Sequence, residues 1–263
     1  MKDLHKRIHL SKETIREALE KFGKQLAIAW TGGKDSTSML WLYRAVCLEL
    51  AVPLPTCMFI DEGDSFEEIL DFIDKVKRQW KVNVVTIQNT DVTNKAKKLG
   101  DIVRVSDLNS RNQEELAKLD FHEENFPFEP ESYVCNHLMK TVPMNHFIEK
   151  RGVLAVSTAI RWDEQEARIK EEYFSPRENP LHTRVHPMLH FSERDIWNLI
   201  RENDIPFCSL YHLGYRSLGI KSNTTKSSEL PAWEQDLENT TERAGRGQDK
   251  EQIMSKLRDL GYM

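Results

Sequence analysis

The chain is poor in the residues that staple small folds or hold metal clusters. Only four of its 263 residues are cysteine, Cys47, Cys57, Cys135 and Cys208, and no two form a Cys-x-x-Cys pair. That spacing gives no sign of a zinc ribbon, a thioredoxin-like redox pair or a dense disulfide framework. Long apolar runs are also missing: stretches such as Leu26–Trp30 fall far short of the roughly 20 residues that span a bilayer. No basic stub leads into an apolar stretch at the N-terminus, as a secretory signal would. Neither sign of charge dominates, with 37 basic against 42 acidic side chains and a net charge of −5. That balance excludes a strongly basic nucleic-acid scaffold and gives no long-range pull toward a membrane surface. The expectation is a soluble, cytoplasmic protein. With 263 residues, 39% of them hydrophobic, there is room for a substantial core in one large domain or two small ones.

What is present is an alternation of strands and helices. Ile15, Leu19 and Phe22 at helical spacing predict a helix over 11–22, with Ser11 as its N-cap. The apolar run 26–30 ends in Thr31-Gly32-Gly33, and a helix is expected over 36–50. Strands are expected at 56–61, 82–87 and 153–160, and helices at 65–80 and 193–202. Strands separated by helices predict an α/β fold with a parallel sheet flanked by helices. Two segments break this rhythm. Residues 101–130 read as a long polar excursion with short helices, and from Gly219 the chain turns polar before a short final helix near 252–260. The expected organisation is one α/β domain over 1–218 with an extended C-terminal tail over 219–263.

The chemistry begins at Trp30-Thr31-Gly32-Gly33-Lys34-Asp35-Ser36. A strand that ends in two glycines and enters a helix brings backbone N–H groups and the positive end of the helix dipole to one point, an anion site. The glycines allow close approach to phosphate oxygens, Lys34 adds a point charge, and Ser36 and Thr37 offer hydroxyl donors. It is not a Walker A loop, because Ile28 stands where that spacing needs glycine.

This stretch resembles the PP-loop, Ser-Gly-Gly-x-Asp-Ser, of the ATP pyrophosphatase superfamily, with Thr31 in place of the first serine. The resemblance implies a Rossmann-like sheet of the adenine nucleotide alpha hydrolase kind and cleavage of ATP between its α and β phosphates. Three further blocks are similar to the phosphoadenylylsulfate reductase and ATP sulfurylase small-subunit group: Arg161-Trp162-Asp163-Glu164…Arg168, Pro187…Phe191-Ser192-Glu193-Arg194-Asp195-Ile196-Trp197, and Leu210-Tyr211…Gly219. Within that group, cluster-bearing reductases carry cysteine pairs where this chain reads Cys135-Asn136 and 219–224 without cysteine. Cluster-free reductases carry a nucleophilic cysteine near the end, and here no cysteine follows Cys208. The segment 239–250, with Gly261-Tyr262-Met263, resembles the ending of ATP sulfurylase small subunits.

The resemblance therefore implies adenylyl transfer from ATP to sulfate, a nucleotidyltransferase activity, with ATP and Mg²⁺ at the site. Lys34, Asp35, Arg161 and Arg168 are the candidate catalytic residues. Trp30, Thr31, Gly32, Gly33, Lys34, Asp35, Ser36, Asp61 and Lys140 are the candidate nucleotide-binding residues, with Asp35 and Asp61 organising the loop or the metal. Arg161 and Arg168 suit bidentate contacts with sulfate or phosphate. A separate GTPase large subunit is the implied partner and an oligomer the expected state, with the tail as interface or site cover. Other readings stay open. The block 206–224 is also similar to FAD synthetase, which would make FMN the acceptor. A reductase-family protein without its cysteine, or a nucleotide-binding docking protein, fits the same motifs. His182, His186 and His190 at spacing four, and Cys135, His137 and His146, leave room for a metal-binding protein.

Overall fold

A computed structural model describes residues 2–129, 132–164 and 168–245. The expected final helix and the closing Gly261-Tyr262-Met263 lie outside the described residues.

The first helix, α1 (Lys2–Phe22), is longer than the sequence suggested. Leu4 and Ile15 are buried and Ile8 and Leu19 pack against the same core, so the apolar stripe runs back through a charge-rich stretch that hid it. Ser11 is therefore not an N-cap. It sits mid-helix, buried, and its hydroxyl donates to the Pro187 carbonyl at 2.6 Å. Strand β1 (Leu26–Ala29) follows and feeds α2 (Lys34–Leu50). Then come β2 (Thr56–Ile60), α3 (Glu67–Trp80) and β3 (Val84–Ile87).

A short α4 (Thr90–Thr93) leads into the polar excursion. There β4 (Ile102–Arg104) pairs antiparallel with β5 (Asn125–Pro127) around α5 (Ser110–Lys118). With α6 (Tyr133–Asn136) this region closes its own small core of Val103, Leu116, Phe126 and Leu138. A π-helical turn, His137–Thr141, joins α6 to α7 (Val142–Arg151).

Strand β6 is only Ala155–Ser157, shorter than the expected 153–160, because the chain leaves the sheet to line a cavity. Two strands escaped the sequence reading, β7 (Phe174–Glu178) and β8 (Leu181–Val185). Pro176 and Pro180 broke their pattern, and His182 and Arg184 are buried polar residues where an apolar one is the usual cue. Helix α8 (Glu193–Glu202) coincides with its expected span, because Ser192 and Asp195 form a reciprocal capping box.

The six-stranded sheet has the order β3-β2-β1-β6-β8-β7, parallel except for β7 at the edge. Side chains alternate between its faces. Ile28 and Phe59 join the large core with α1, α2 and α8, whereas Ala27, Met58 and Val156 face Met144, Phe147 and Ile148 of α7. From β1 the chain builds outward to β2 and β3 and only later adds β6 on the other flank. Strand β1 is thus the topological switch point, and a crevice opens at its carboxyl end.

The described part of the polar C-terminal stretch, 219–245, lies against this body. Ala232 is fully buried, and Trp233 and Leu237 pack on the main core. The Arg216 guanidinium donates to the Asp236, Leu237 and Thr240 carbonyl or hydroxyl oxygens and holds the stretch in place.

Candidate functional site

The crevice is a cavity of about 320 Å³ at the carboxyl ends of β1, β2, β6 and β8. Its floor is the Gly-rich turn. Gly32 has φ +76°, and a Cβ there would meet Ile69 Cγ2 at 3.1 Å and Ile73 Cγ1 at 3.2 Å. Only glycine adopts this turn without strain, because α3 packs directly beneath it. Gly33 is the extended N-cap of α2, so the helix N-terminus faces the cavity. The Thr31 and Ser36 hydroxyls lie 3.0 Å apart and the Ser36 hydroxyl donates to the Gly33 carbonyl at 3.1 Å. The Lys34 amide donates to the Tyr211 hydroxyl at 2.9 Å.

Lys34 is 1% exposed and heads a buried network of charge. Its ammonium contacts Glu242, lies 3.1 Å from Asp35 and 3.8 Å from Glu193, and donates to the Arg216 carbonyl at 3.4 Å. Burial alone lowers its pKa, but Glu242 and Glu193 outweigh that and leave it raised. Arg161 is fully buried and contacts Asp35, Glu242 and, at 2.9 Å, Asp163. Burial again works against its charge, and Glu242, Glu164 and Asp163 reverse it. Burial pushes the Glu242 carboxyl up, yet Arg161 and Lys34 hold it well below the usual carboxylate range. Glu193 is raised, first by burial, although Arg216 grips it at 2.8 Å. One carboxylate from the C-terminal stretch thus rests on two buried cations, Lys34 at the Gly-rich turn and Arg161 in the segment after β6.

The sequence-predicted residues divide into two sets. Thr31, Gly33, Lys34, Asp35, Ser36, Lys140 and Arg168 line the cavity together. Arg168 is ion-paired with Glu164, and Lys140 with Glu62 at 2.9 Å. The other four support the site from outside. Trp30 is fully buried in the core with its indole N–H donating to Thr37 at 3.1 Å. Gly32 shapes the turn. Arg161 braces Asp35 from behind. Asp61 accepts from the Gly63 amide at 2.9 Å and the Gln88 amide group at 3.0 Å, organising the turn after β2.

Sequence reading did not assign Tyr211, Glu242, Arg243, Thr141 or Arg184, all of which line the same cavity. Tyr211 and Glu242-Arg243 lie inside quoted blocks, but nothing local shows that residues 177 and 208 positions from Lys34 return to it.

The histidines do not converge. His182 Nδ1 lies 2.7 Å from the Pro180 carbonyl, His186 Nδ1 2.7 Å from the Thr158 hydroxyl, and His190 Nε2 2.9 Å from the Arg7 carbonyl. His137 is engaged by Glu115 at 2.7 Å. Among the described residues no group of three or more His, Cys, Asp or Glu is arranged to hold a metal, and no helix is long and apolar enough to cross a membrane. All four cysteines are buried. Burial raises their thiol pKa values, Cys47 to about 11 and Cys57 to about 12, and Cys135 bonds to the Glu129 amide and Pro127 carbonyl.

Comparison with known proteins agrees with this architecture. An adenosine 5'-phosphosulfate reductase of Bacillus pumilus is 22% identical over 205 residues, 78% of this chain and 76% of that protein. Sulfate adenylyltransferase subunit 2 of Parabacteroides distasonis is 26% identical over 220 residues, covering 75% of this chain but only 63% of its own length. Among solved structures, an FMN adenylyltransferase of Candida glabrata superposes with a TM-score of 0.66 at 18% identity, over 94% of this chain and 89% of that one, which speaks to the fold alone. The phosphoadenosine phosphosulfate reductase domain matches residues 25–226, the span that holds the Gly-rich turn, every strand of the sheet and most of the cavity wall, and the chain belongs to that family.

Proposed function

We propose that this protein transfers the adenylyl group of ATP to a small anionic acceptor, sulfate first among the candidates, releasing pyrophosphate. The observation that carries this reading is Lys34, a buried ammonium at the head of α2 that opens on the cavity beside the Gly-rich turn. A leaving pyrophosphate needs a fixed cation and backbone N–H donors where its charge grows. Glu242 on Lys34 and Arg161 supports the same point: an anion already rests where the phosphates would. Entry of the nucleotide exchanges one anion for another.

The thiols speak against the reductase activity of some relatives. A sulfur nucleophile must be a reachable thiolate, and all four here are buried with raised pKa values. In adenylyl transfer the protein has little covalent work to do. The turn and Lys34 hold the β and γ phosphates, and Arg161 keeps Asp35 and the loop in shape. Mg²⁺ carried by the triphosphate keeps most of its water and takes one or two carboxylates; Asp35 and Glu62 on the cavity wall fit that need. Bound there, it would neutralise charge on the departing pyrophosphate. Because return of pyrophosphate is strongly favoured, a separate GTPase subunit would drive the reaction forward.

The test is acceptor-dependent exchange of labelled pyrophosphate into ATP, with Mg²⁺ and with sulfate or FMN added separately. Exchange with sulfate, alone or after adding a GTPase subunit, is the expected result. Exchange with FMN alone would move the activity to FAD synthesis. ATP binding without exchange would reject adenylyl transfer to either acceptor.

A further inference from the structure

One neutral hydroxyl on the cavity wall is tied to a buried histidine that the chemistry above leaves unused. Thr158 stands one residue beyond β6, half-buried, and lines the cavity. Its amide donates to the Val185 carbonyl at 2.9 Å, which fixes the backbone at the end of the sheet. Its hydroxyl lies 2.7 Å from His186 Nδ1. His186 is fully buried, and its other ring nitrogen, Nε2, lies 3.5 Å from Glu171 Oε2. Three polar groups from three segments thus form a line from the interior to the cavity.

The line has a direction. Both Glu171 carboxylate oxygens accept from the Arg177 guanidinium, at 3.2 and 3.1 Å, so Glu171 is ionised. Burial lowers the His186 pKa against the pull of that carboxylate, so the ring is neutral and carries one proton. Facing Glu171, a bare nitrogen is repelled and an N–H is attracted, which places the proton on Nε2. Nδ1 is then an acceptor, and the Thr158 hydroxyl donates to it. With its proton turned inward, Thr158 offers oxygen lone pairs to the cavity. A hydrogen-bond donor fits there, and the oxygen of an anion does not.

Of the groups that adenylyl transfer brings to the cavity, the triphosphate and sulfate carry acceptors alone. Donors come from the nucleoside, which has two sugar hydroxyls and the amino group of adenine. Position separates them. Strand β6 pairs with β1, with Ser157 opposite Ile28. Thr158 therefore stands level with Ala29, one strand spacing of about 4.8 Å from the chain that feeds the Gly-rich turn. The sugar is joined to the α-phosphate, whereas the amino group lies at the opposite end of the nucleotide. We propose that Thr158 reads a sugar hydroxyl of the nucleotide, 2′ or 3′, by accepting its hydrogen bond. His186 and Glu171 are the positioning residues that fix the Thr158 proton. The inference rests on the adenylyl-transfer reading for the placement of ATP, and it adds selection of a ribonucleotide over the deoxynucleotide lacking that hydroxyl.

Binding rather than turnover tests it. The full chain with Mg²⁺ is titrated calorimetrically with ATP, 2′-deoxy-ATP and 3′-deoxy-ATP. The wild type should prefer ATP about fivefold over one deoxy analogue, as for one neutral hydrogen bond, and the analogue that suffers names the hydroxyl. Thr158→Val should weaken ATP by the same factor and leave that analogue where it was, so that the preference vanishes. Thr158→Ser, which keeps the hydroxyl, should behave as the wild type. A merely structural loss would weaken all three nucleotides alike, so the cycle of ligand against variant separates the two. His186→Asn offers Thr158 a carbonyl acceptor in place of Nδ1 and should keep the preference. His186→Leu frees the hydroxyl to turn and should reduce it, and this pair decides if Thr158→Val does not fold. Equal binding of the three nucleotides by the wild type overturns the inference while leaving adenylyl transfer standing. So does a preference that survives Thr158→Val or His186→Leu. Failure to bind ATP at all sinks the parent reading instead.

Discussion

Removing the Glu242 carboxylate should weaken the empty protein and tighten its hold on ATP. In Glu242→Gln the buried cations Lys34 and Arg161 lose an anion that both contact. Breaking a buried ion pair by removing one partner costs about 3–5 kcal/mol. Here Asp35 and Glu193 remain 3.1 and 3.8 Å from the Lys34 ammonium and Asp163 remains 2.9 Å from Arg161, so the lower end, about 3 kcal/mol, is the better figure. At roughly 2–4 °C per kcal/mol for a chain of this size, Tm should fall by about 6–12 °C. Pyrophosphate or ATP then binds cations that no longer need to be uncovered, and each 1.4 kcal/mol of relieved competition is about tenfold in affinity. Melting curves with and without ligand, paired with calorimetry, read both effects. The variant should melt early alone, bind ATP about tenfold more tightly, and regain its lost stability when saturated. An unchanged Tm together with unchanged or weaker ATP binding would show that the carboxylate does not occupy the phosphate position, and the reasoning fails.

Gly32→Ala should cost about 2 kcal/mol in urea unfolding, from the left-handed backbone and the crowding of Ile69 and Ile73; a loss under a few tenths would remove the case for the turn. His182 is held neutral by burial and by Arg184, with its pKa lowered from 6.5 to about 4. The folded state therefore binds fewer protons than the unfolded one between those values, so stability is present above pH 6.5 and falls on acidification to about pH 4. The loss is at most about 3 kcal/mol, and His182→Gln should flatten that limb of a stability–pH curve. Ellman's reagent should label the four native thiols slowly, and Cys135→Ser should leave ATP binding intact; rapid labelling of one thiol would reopen the reductase reading. Ser192→Ala should cost about 1 kcal/mol through the lost cap of α8, read as a lower urea midpoint at constant slope.

Elements were legible where local signals carried them. Helix α8 could be read from its apolar stripe and capping box, and the Gly-rich turn from the run of a short strand into two glycines and a hydroxyl-bearing helix start. The edge strand β7 and its neighbour β8 could not, because proline and buried arginine and histidine replaced the apolar alternation on which strand reading depends. The start of α1 was hidden by charged residues interleaved with Leu4 and Ile8. At the site, one half of the wall was legible as motifs. Glu242, Tyr211 and Arg184 were not assigned, since which residue meets Lys34 across the crevice is decided by tertiary packing and not by spacing along the chain.

The contact between Lys34 and Glu242 spans 208 positions. Closing so large a loop is entropically expensive and comes late when a chain folds. During synthesis the Gly-rich turn emerges long before its distant carboxylate, and domains fold in the order they leave the ribosome. A nascent chain stopped short of residue 242 would thus have formed its sheet while its loop cations were still uncovered, open to whatever polyanion is at hand. Completion of the last segment shields them, so a finished molecule and an interrupted one should differ in how indiscriminately they hold phosphate.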